Sequence, residues 1–204
     1  MLTCAIRPAG IFGEKDTTIT KNLLEHGSRS SSTTLRMQLG DNDNLFDFTY
    51  VGNIAYAHML AARSLLATFA RKEAGLGAPL DHERVDGEAF NVTNDSPVYF
   101  WDMARAIWAV TGKIVEPDQV IRLPEWLLEP IGGIAETVMG IFGRPPPRLT
   151  RRSVRYSCMT RYYSCNKAKF RLRYQPLVPL DEGIERAVGY VLAGEKSAGE
   201  KKAL

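Results

Sequence analysis

Leu2-Thr3-Cys4-Ala5-Ile6-Arg7-Pro8-Ala9-Gly10 is the stretch that decides the fold. An apolar run gives way to a proline and a glycine, the pattern of a buried strand followed by a breaker loop. A second run of this kind is Glu88-Ala89-Phe90-Asn91-Val92-Thr93. Between them, Gly52 to Ala70 carries Ile54, Ala55, Ala57, His58, Ala61, Ala62, Leu65, Leu66 and Phe69 at helical spacing, and its alanines suit close packing on a sheet. Strand, crossover helix and strand at this spacing predict the closing part of a parallel α/β sheet. Two parallel strands do not make a stable sheet, because each needs neighbours and helices on both faces. Met1 and Leu2 also lead directly into an apolar strand, with no charged leader and no cleavage site. The expectation is a chain cut from a longer one.

The flanking segments fill in the outline. Asp16-Thr17-Thr18 suits the N-cap of a helix through Leu23 and Leu24, stopped by Gly27. Leu35–Leu39 and Phe46–Val51 read as strands, and the loop Gly40-Asp41-Asn42-Asp43-Asn44 between them predicts a hairpin. Residues 71–87 are polar and read as a surface loop. Phe100–Val110, with Trp101, Met103, Ala104, Ile107 and Trp108, reads as a helix, and Asp181-Glu182-Gly183-Ile184 opens another through Leu192. The domain reading places the trailing part of the sheet domain at 1–95, with the hairpin at about 34–51 inside it. A substrate-binding domain follows at 96–195, then a frayed tail at 196–204.

Hydrophobic residues make up 45% of the 204 and charged residues 24%, which is too apolar for disorder. The net charge of +3 hides a localised excess: ten Arg/Lys lie between Arg144 and Arg173, with no Asp or Glu among them. They follow an interrupted apolar stretch from Leu123 to Phe142, in which Glu129, Pro130 and Glu136 argue against a transmembrane helix. Two readings stay open for 126–173: an apolar lid resting on a membrane with arginines at the headgroups, or a core helix followed by a solvated basic loop. A basic nucleic-acid module, with Tyr156, Tyr162 and Tyr163 as stacking groups, is the reading from another class. It lacks the motifs of dedicated nucleic-acid folds, so no nucleic acid is expected. Cys4, Cys158 and Cys165 have neither disulfide nor metal spacing, which suits a reducing compartment. His26 and His82 suggest no metal, His58 reads as a buried hydrogen-bonded histidine, and Asp41 and Asp43 belong to an Asn/Asp-rich loop. No metal site is expected.

Four segments resemble the extended short-chain dehydrogenases, in particular the 3β-hydroxysteroid and sterol-4α-carboxylate branch. They are Thr3-Cys4-Ala5-Ile6-Arg7-Pro8-Ala9-Gly10-Ile11-Phe12-Gly13; Asp47-Phe48-Thr49-Tyr50-Val51-Gly52-Asn53-Ile54-Ala55-Tyr56-Ala57-His58; Gly87-Glu88-Ala89-Phe90-Asn91-Val92-Thr93-Asn94-Asp95-Ser96-Pro97-Val98 with Phe100-Trp101-Asp102; and Arg161-Tyr162-Tyr163, Lys167-Ala168-Lys169 and Pro179-Leu180-Asp181-Glu182-Gly183-Ile184. Leu172-Arg173-Tyr174 departs from the family's Leu-Gly-Tyr. The resemblance implies an α/β fold: the C-terminal fragment of an NAD(P)-binding Rossmann-type domain plus a small, mainly helical substrate domain. It implies a dehydrogenase that oxidises the 3β-hydroxyl of a sterol 4α-carboxylate, using NAD or NADP bound by the full-length family and weakly or not at all here. Pro8, Ala9, Gly10 and Ile11 would line the nicotinamide end, where a proline and a glycine let the backbone approach the ring. Phe12, Tyr50 and Asn53 would contribute to the substrate pocket, although Tyr50 and Asn53 also read as a strand-end aromatic and a helix N-cap. The family setting further implies the cytoplasmic face of the endoplasmic reticulum membrane, a sterol-like substrate, and a homodimer in the full-length form. The runner-up within enzymes is a nucleotide-sugar epimerase or reductase of the same extended class.

Oxidising a secondary alcohol with a nicotinamide requires a grip on the dinucleotide phosphates, commonly a glycine-rich turn, and a base for the hydroxyl proton. No G-x-G-x-x-G and no looser G-x-x-G-x-x-G occurs: Gly10 and Gly13 have the first spacing of the looser form, but Asp16 stands where its third glycine belongs. The one Tyr-x-x-x-Lys, Tyr163 to Lys167, falls late in the chain and reads as a turn followed by a surface helix. No catalytic residue is assigned, and the chain alone is expected to be inactive.

Overall fold

The computed structural model describes residues 1–145, 147 and 149–203, with side chains as far as residue 194. In chain order the elements are β1 (Ala5–Pro8), β2 (Gly10–Phe12), α1 (Thr20–Arg29), α2 (Ser32–Arg36), β3 (Met37–Leu39), β4 (Leu45–Phe46), β5 (Phe48–Tyr50), α3 (Val51–Glu73), β6 (Ala89–Val92), β7 (Val98–Tyr99), α4 (Phe100–Val110), β8 (Ile121–Leu123), α5 (Glu125–Ile141), α6 (Arg151–Cys158), α7 (Asn166–Leu172) and α8 (Leu180–Ala203). They fall into two compact units. The first is Met1–Lys21, Asp47–Pro97 and Tyr162–Leu204, and the second is Asn22–Phe46 and Val98–Arg161.

In the first unit β1 and β6 pair in parallel, with Ile6 opposite Phe90 and Pro8 opposite Val92. β2 and β5 form a second parallel pair, with Ile11 opposite Thr49. The crossover helix α3 starts directly at Val51 and lays Ala57 and Ala61 into a core with Val85, Phe90, Val92, Ala168, Leu172 and Tyr174. The alanines let the helix lie close to the strands, as its composition predicts. Tyr174, fully buried, donates its hydroxyl to the Thr93 carbonyl at 2.8 Å, so the one polar atom it carries inward is satisfied. α7 ends with Arg173 in the left-handed conformation, φ 58°. This is the position where the sequence departs from Leu-Gly-Tyr, and a glycine would adopt that φ without steric cost. α8 continues to Ala203, across the segment expected to be a frayed tail, whose side chains lie outside the described residues.

The second unit corrects the hairpin. β3 pairs in parallel with β8, Gln38 opposite Arg122, and β4 pairs antiparallel with β7, Leu45 opposite Tyr99. Residues 34–51 therefore feed three different strand pairs rather than one hairpin. The cause lies in the connecting loop, whose polar groups are taken up by helices. Asn42, at φ 60°, accepts from the Trp101 amide and donates to Asp102, while Asn44 donates to the carbonyls of Ser157 and Met159. Gly27 is a second correction. It does not stop α1 but lies within it, because a Cβ there would come within 2.7 Å of the Trp108 ring. The glycine is spent on close packing, and the Trp108 indole donates to the Leu23 carbonyl of the same helix. The Asp16 cap is as expected: its carboxylate accepts from the amides of Thr18, Ile19 and Thr20 at 2.8, 3.0 and 2.7 Å.

His58 is a third correction. The residue is exposed on α3, with Nδ1 against the Ile54 carbonyl at 2.8 Å, about 100° around the helix from Ala57.

Candidate functional site

The site builds outward from Ala9, the one residue between β1 and β2: where the sequence predicted a strand ending at Ile6 and a breaker loop, Pro8 closes β1 and Gly10 opens β2, so the Pro8–Ile11 loop is a bend between two strands. Pro8 has no amide hydrogen. The Ala9 amide is shared between the Val92 carbonyl at 3.3 Å and the Thr49 hydroxyl at 3.2 Å, and that hydroxyl donates to the Val92 carbonyl at 3.1 Å. The Gly10 amide donates to the Asp47 carbonyl at 3.2 Å. The amides of Ala9 and Gly10 are thus consumed inside the first unit, and Ala9 and Gly10 are buried, while the Ile11 side chain stands 44% exposed. The loop presents carbon to solvent and keeps its donors inward. Gly13 follows at φ 142°, where a Cβ would lie 2.5 Å from Val51 Cγ1.

Phe12, Tyr50 and Asn53 come together behind this loop, each buried. The Phe12 and Tyr50 rings meet at 5.8 Å, and α8 packs on both through Gly183, where an added Cβ would stand 3.1 Å from Phe12 and 3.2 Å from Tyr50. The Tyr50 hydroxyl donates to the Glu14 carboxylate at 2.7 Å, with the Arg186 guanidinium also facing it. Burial first, and then the Glu14 carboxylate, push that phenol above its ordinary pKa. Held in this way, Tyr50 is no base at neutral pH. Asn53 caps nothing through its side chain. Its Oδ1 accepts from the amides of Leu177 and Val178, both at 3.0 Å, and its Nδ2 donates to Asn94 Oδ1 at 3.0 Å and the Val178 carbonyl at 2.8 Å.

Sequence reading missed Thr49, Glu14 and Asn94 as partners of these residues. Thr49 is a β-branched polar residue in a strand otherwise aromatic, and that was the available signal. It also missed Asp95, in the left-handed region at φ 53°, which accepts from the Cys165 thiol at 3.0 Å and pairs with Lys169. Burial, reinforced by the Asp95 carboxylate, pushes the Cys165 thiol up to about 11. Asp47 is buried, with Oδ2 on the Tyr163 amide at 2.7 Å and no hydrogen-bond partner on Oδ1, and burial raises its pKa.

Tyr163 and Lys167 do not act as a pair. Tyr163 lies in the irregular segment before α7, and the Lys167 ammonium is bound to Glu88 at 2.6 Å and sits over the Phe90 ring. Among the described residues no group of three or more His, Cys, Asp or Glu is placed to hold a metal, and no helix is long and apolar enough to cross a membrane.

The geometry can be set beside known proteins. Residues 1–125 match the model of the 3-beta hydroxysteroid dehydrogenase/isomerase family, and the chain belongs to that family. The Schizosaccharomyces pombe sterol-4-alpha-carboxylate 3-dehydrogenase erg26, decarboxylating, is 38% identical over 192 residues, covering 93% of this chain and 50% of that protein. The human sterol-4-alpha-carboxylate 3-dehydrogenase, decarboxylating, is 32% identical over 190 residues, covering 92% of this chain and 46% of that protein. The chain thus spans about half the length of these relatives. Among solved structures, a UDP-glucose 4-epimerase from Thermotoga maritima has a TM-score of 0.53 at 17% identity, covering 95% of this chain and 47% of that one. A dTDP-glucose 4,6-dehydratase from Bacillus anthracis, solved in complex with NAD, has a TM-score of 0.55 at 13% identity, covering 95% and 45%. Likenesses at that identity concern the fold, which is of the Rossmann type with parallel strands and covering helices.

Proposed function

We propose that the chain forms part of an NAD(P)-dependent dehydrogenase that oxidises the 3β-hydroxyl of a sterol 4α-carboxylate. The observation that carries this reading is the Pro8–Ile11 segment, where β1 bends at Ala9 into β2. Its form suits an aromatic ring laid against carbon, since the Ala9 and Gly10 amides are already bonded to Val92, Thr49 and Asp47. When bound, the nicotinamide would accept the hydride released from the carbinol carbon. Pro8 and Ile11 would contact the ring and exclude water, and the Thr49 and Asp47 bonds would hold the loop in place while it binds. The resulting 3-keto acid loses carbon dioxide readily, because the ketone takes up the electron pair as an enolate. Phe12, Tyr50 and Asn53 support the loop from behind.

The phosphate grip and the base are assigned to sequence other than these residues, and on this reading the purified chain does not oxidise a sterol 4α-carboxylate with NAD or NADP. The names of relatives matched over 93% and 92% of the chain favour a sterol over a nucleotide sugar, and the apolar Trp126–Phe142 stretch agrees. We place the protein at the cytoplasmic face of the endoplasmic reticulum membrane, with peripheral contact through 126–173 and homodimerisation in the longer form. The test is a chimera in which this chain replaces the corresponding half of the fission-yeast relative. Reduction of the nicotinamide and release of carbon dioxide from a sterol 4α-carboxylate are expected. A folded chimera that turns over a UDP-sugar and leaves the sterol untouched would overturn the assignment.

A further inference from the structure

A run of five hydroxyl residues, Ser30-Ser31-Ser32-Thr33-Thr34, joins α1 to α2, and Arg29 stands just before it. Three of the five hydroxyls are engaged. The Ser31 hydroxyl accepts from the Thr34 amide at 3.2 Å and meets the Thr34 hydroxyl at 3.0 Å, and the Ser30 hydroxyl meets His26 Nδ1 at 3.5 Å. The hydroxyls of Ser32 and Thr33 have no hydrogen bond among the described residues, and both residues are exposed. Beside this run the second unit holds a cavity of about 290 Å³, whose lining includes Ser30, Ser32, Leu35, Arg36, Lys113 and Gln119. That lining carries two cations, Arg36 and Lys113, and no acid; Glu116 and Asp118 are close in sequence but do not line it. Lys113 is fixed there, because its ammonium donates to the Gly27 carbonyl of α1, a bond that uses one of its three hydrogens. Arg36 follows Ser32 by four residues on α2, a spacing that puts two side chains side by side, and it meets no carboxylate among the described residues. Thr33 lies about 100° further around the helix and does not line the cavity. Two like charges held at one cavity without a counter-charge repel, and an anion between them removes that cost.

We infer that Ser32 is a site of phosphorylation, with its phosphate seated in this cavity between Arg36 and Lys113. The phosphoryl group comes from a nucleoside triphosphate held by a protein kinase. A bond forms from the γ-phosphorus to Ser32 Oγ as the bond to the bridging oxygen breaks; the hydroxyl proton passes to a base of the kinase, and the nucleoside diphosphate leaves. The product carries about −1.5 to −2 charge at neutral pH and three acceptor oxygens, which suit the guanidinium fork of Arg36 and the remaining hydrogens of Lys113. The choice among the five hydroxyls follows from the same geometry. Ser30, Ser31 and Thr34 are engaged within the run, and Thr33 points away from the cations, which leaves Ser32. Arg29, exposed and three residues ahead of Ser32, supplies the kind of charge by which kinases with acidic clefts select a serine. Lys113 follows α4 and grips α1 through Gly27, so the phosphate ties the α1–α2 junction to the end of α4. The inference concerns the second unit alone and rests on no reading of the chemistry.

The test treats the full chain with ATP and a kinase that selects arginine three residues before its serine. Mass spectrometry is expected to place the phosphate on Ser32 ahead of Ser30, Ser31 and Thr33. Ser32→Ala should remove most of the transfer, and Arg29→Ala should lower it at least about tenfold. The seat is read separately, on chain that carries a phosphate at Ser32 installed during translation. Phosphorus NMR across pH should give a second phosphate pKa about one unit below the usual value of about 6, because the two cations favour the dianion. Arg36→Gln, which breaks no hydrogen bond within the unmodified unit, should return that value about halfway, and adding Lys113→Gln should return it nearly fully. Circular dichroism checks that both variants fold. A value near 6 in the wild-type background, unmoved by Arg36→Gln, would overturn the seat between the cations. Transfer spread evenly over the hydroxyls would overturn Ser32 as the site. No transfer to Ser32, with inorganic phosphate bound to the unmodified chain through Arg36 and Lys113, would give the cavity to a diffusible anion and overturn the modification. Sterol turnover enters none of these readouts, so the dehydrogenase assignment stands or falls separately.

Discussion

Asn53→Ala tests whether this residue is a structural lock or a wall of the substrate pocket. In the wild-type chain four hydrogen bonds leave a side chain with no exposed surface. Truncation does not orphan every partner. The Val178 carbonyl keeps the Asn94 amide at 3.1 Å, and Asn94 Oδ1 keeps the Tyr50 amide at 2.9 Å. The amides of Leu177 and Val178 lose the acceptor they share, and a part-buried donor without a partner costs about 1–3 kcal/mol. The expected loss is about 2–5 kcal/mol, or roughly 5–15 °C in Tm for a chain of this size. Thermal unfolding followed by circular dichroism measures it. Asn53→Asp sharpens the test: it retains an acceptor for both amides but turns a second oxygen toward Asn94 Oδ1 and the Val178 carbonyl. A loss similar to that of the alanine variant is expected at neutral pH, smaller as pH falls and the carboxyl protonates. An alanine variant within 1 kcal/mol of wild type would refute the lock and return Asn53 to the pocket.

Arg173→Gly should stabilise the chain by about 0.5–1 kcal/mol, because glycine adopts the φ of 58° at the end of α7 freely; urea unfolding reads it, and a destabilised variant would show that the guanidinium earns its place. Gly27→Ala should cost about 1–3 kcal/mol despite alanine's better helix propensity, since the new Cβ meets the Trp108 ring at 2.7 Å, and Trp108→Leu in the same background should recover part of the loss. Cys165 gives an alkaline limb. Its folded pKa of about 11 lies above the ordinary 9.0, so the unfolded chain releases its proton first, and this contribution to stability is full below pH 9 and falls as pH rises toward 11. Cys165→Ser should flatten that limb in urea midpoints measured across the range, and a limb of unchanged slope counts against the buried thiol as its source.

The sequence was most legible where one element needs one pattern. The crossover helix, the Phe100–Val110 helix and the β1–β6 pair follow from apolar spacing because burial on a single face selects a single period. It was least legible where a residue type serves two purposes. Gly27 reads as a helix stop, yet a missing side chain is also what lets Trp108 approach. Gly40 to Asn44 reads as a hairpin turn, yet the same amides and left-handed residues are taken by α4 and α6, a competition between partners distant in sequence. His58 failed for a related reason: two adjacent small residues, Ala57 and Ala61, mark the inner face, and a position one residue along falls about 100° away. At the candidate site, Pro8 to Ile11 were singled out by resemblance to the family. Glu14 and Asn94 could not be, since nothing local to them records that Tyr50 and Asn53 are their partners.

Those hidden partners bear on what the loop can discriminate. A backbone that recognises phosphate must offer free amides, as glycine-rich turns at helix ends do. Here Ala9 donates to Val92 and Thr49, Gly10 donates to Asp47, and Pro8 has nothing to donate. Such a loop can meet a ligand through carbon and shape, not through charge. On the proposed reading this segment would contribute little to telling a 2′-phosphate from a 2′-hydroxyl, and changes at Ile11, the exposed member, would alter the fit of a ring without altering cofactor preference. The bonds to Thr49 and Asp47 also tie the loop to β5, and β5 leads without a break into Tyr50 and α3. Position is therefore transmitted to the loop in part by the hydroxyl of Thr49, so that Thr49→Val, which keeps the shape and removes the acceptor of the Ala9 amide, is the smallest change able to loosen it.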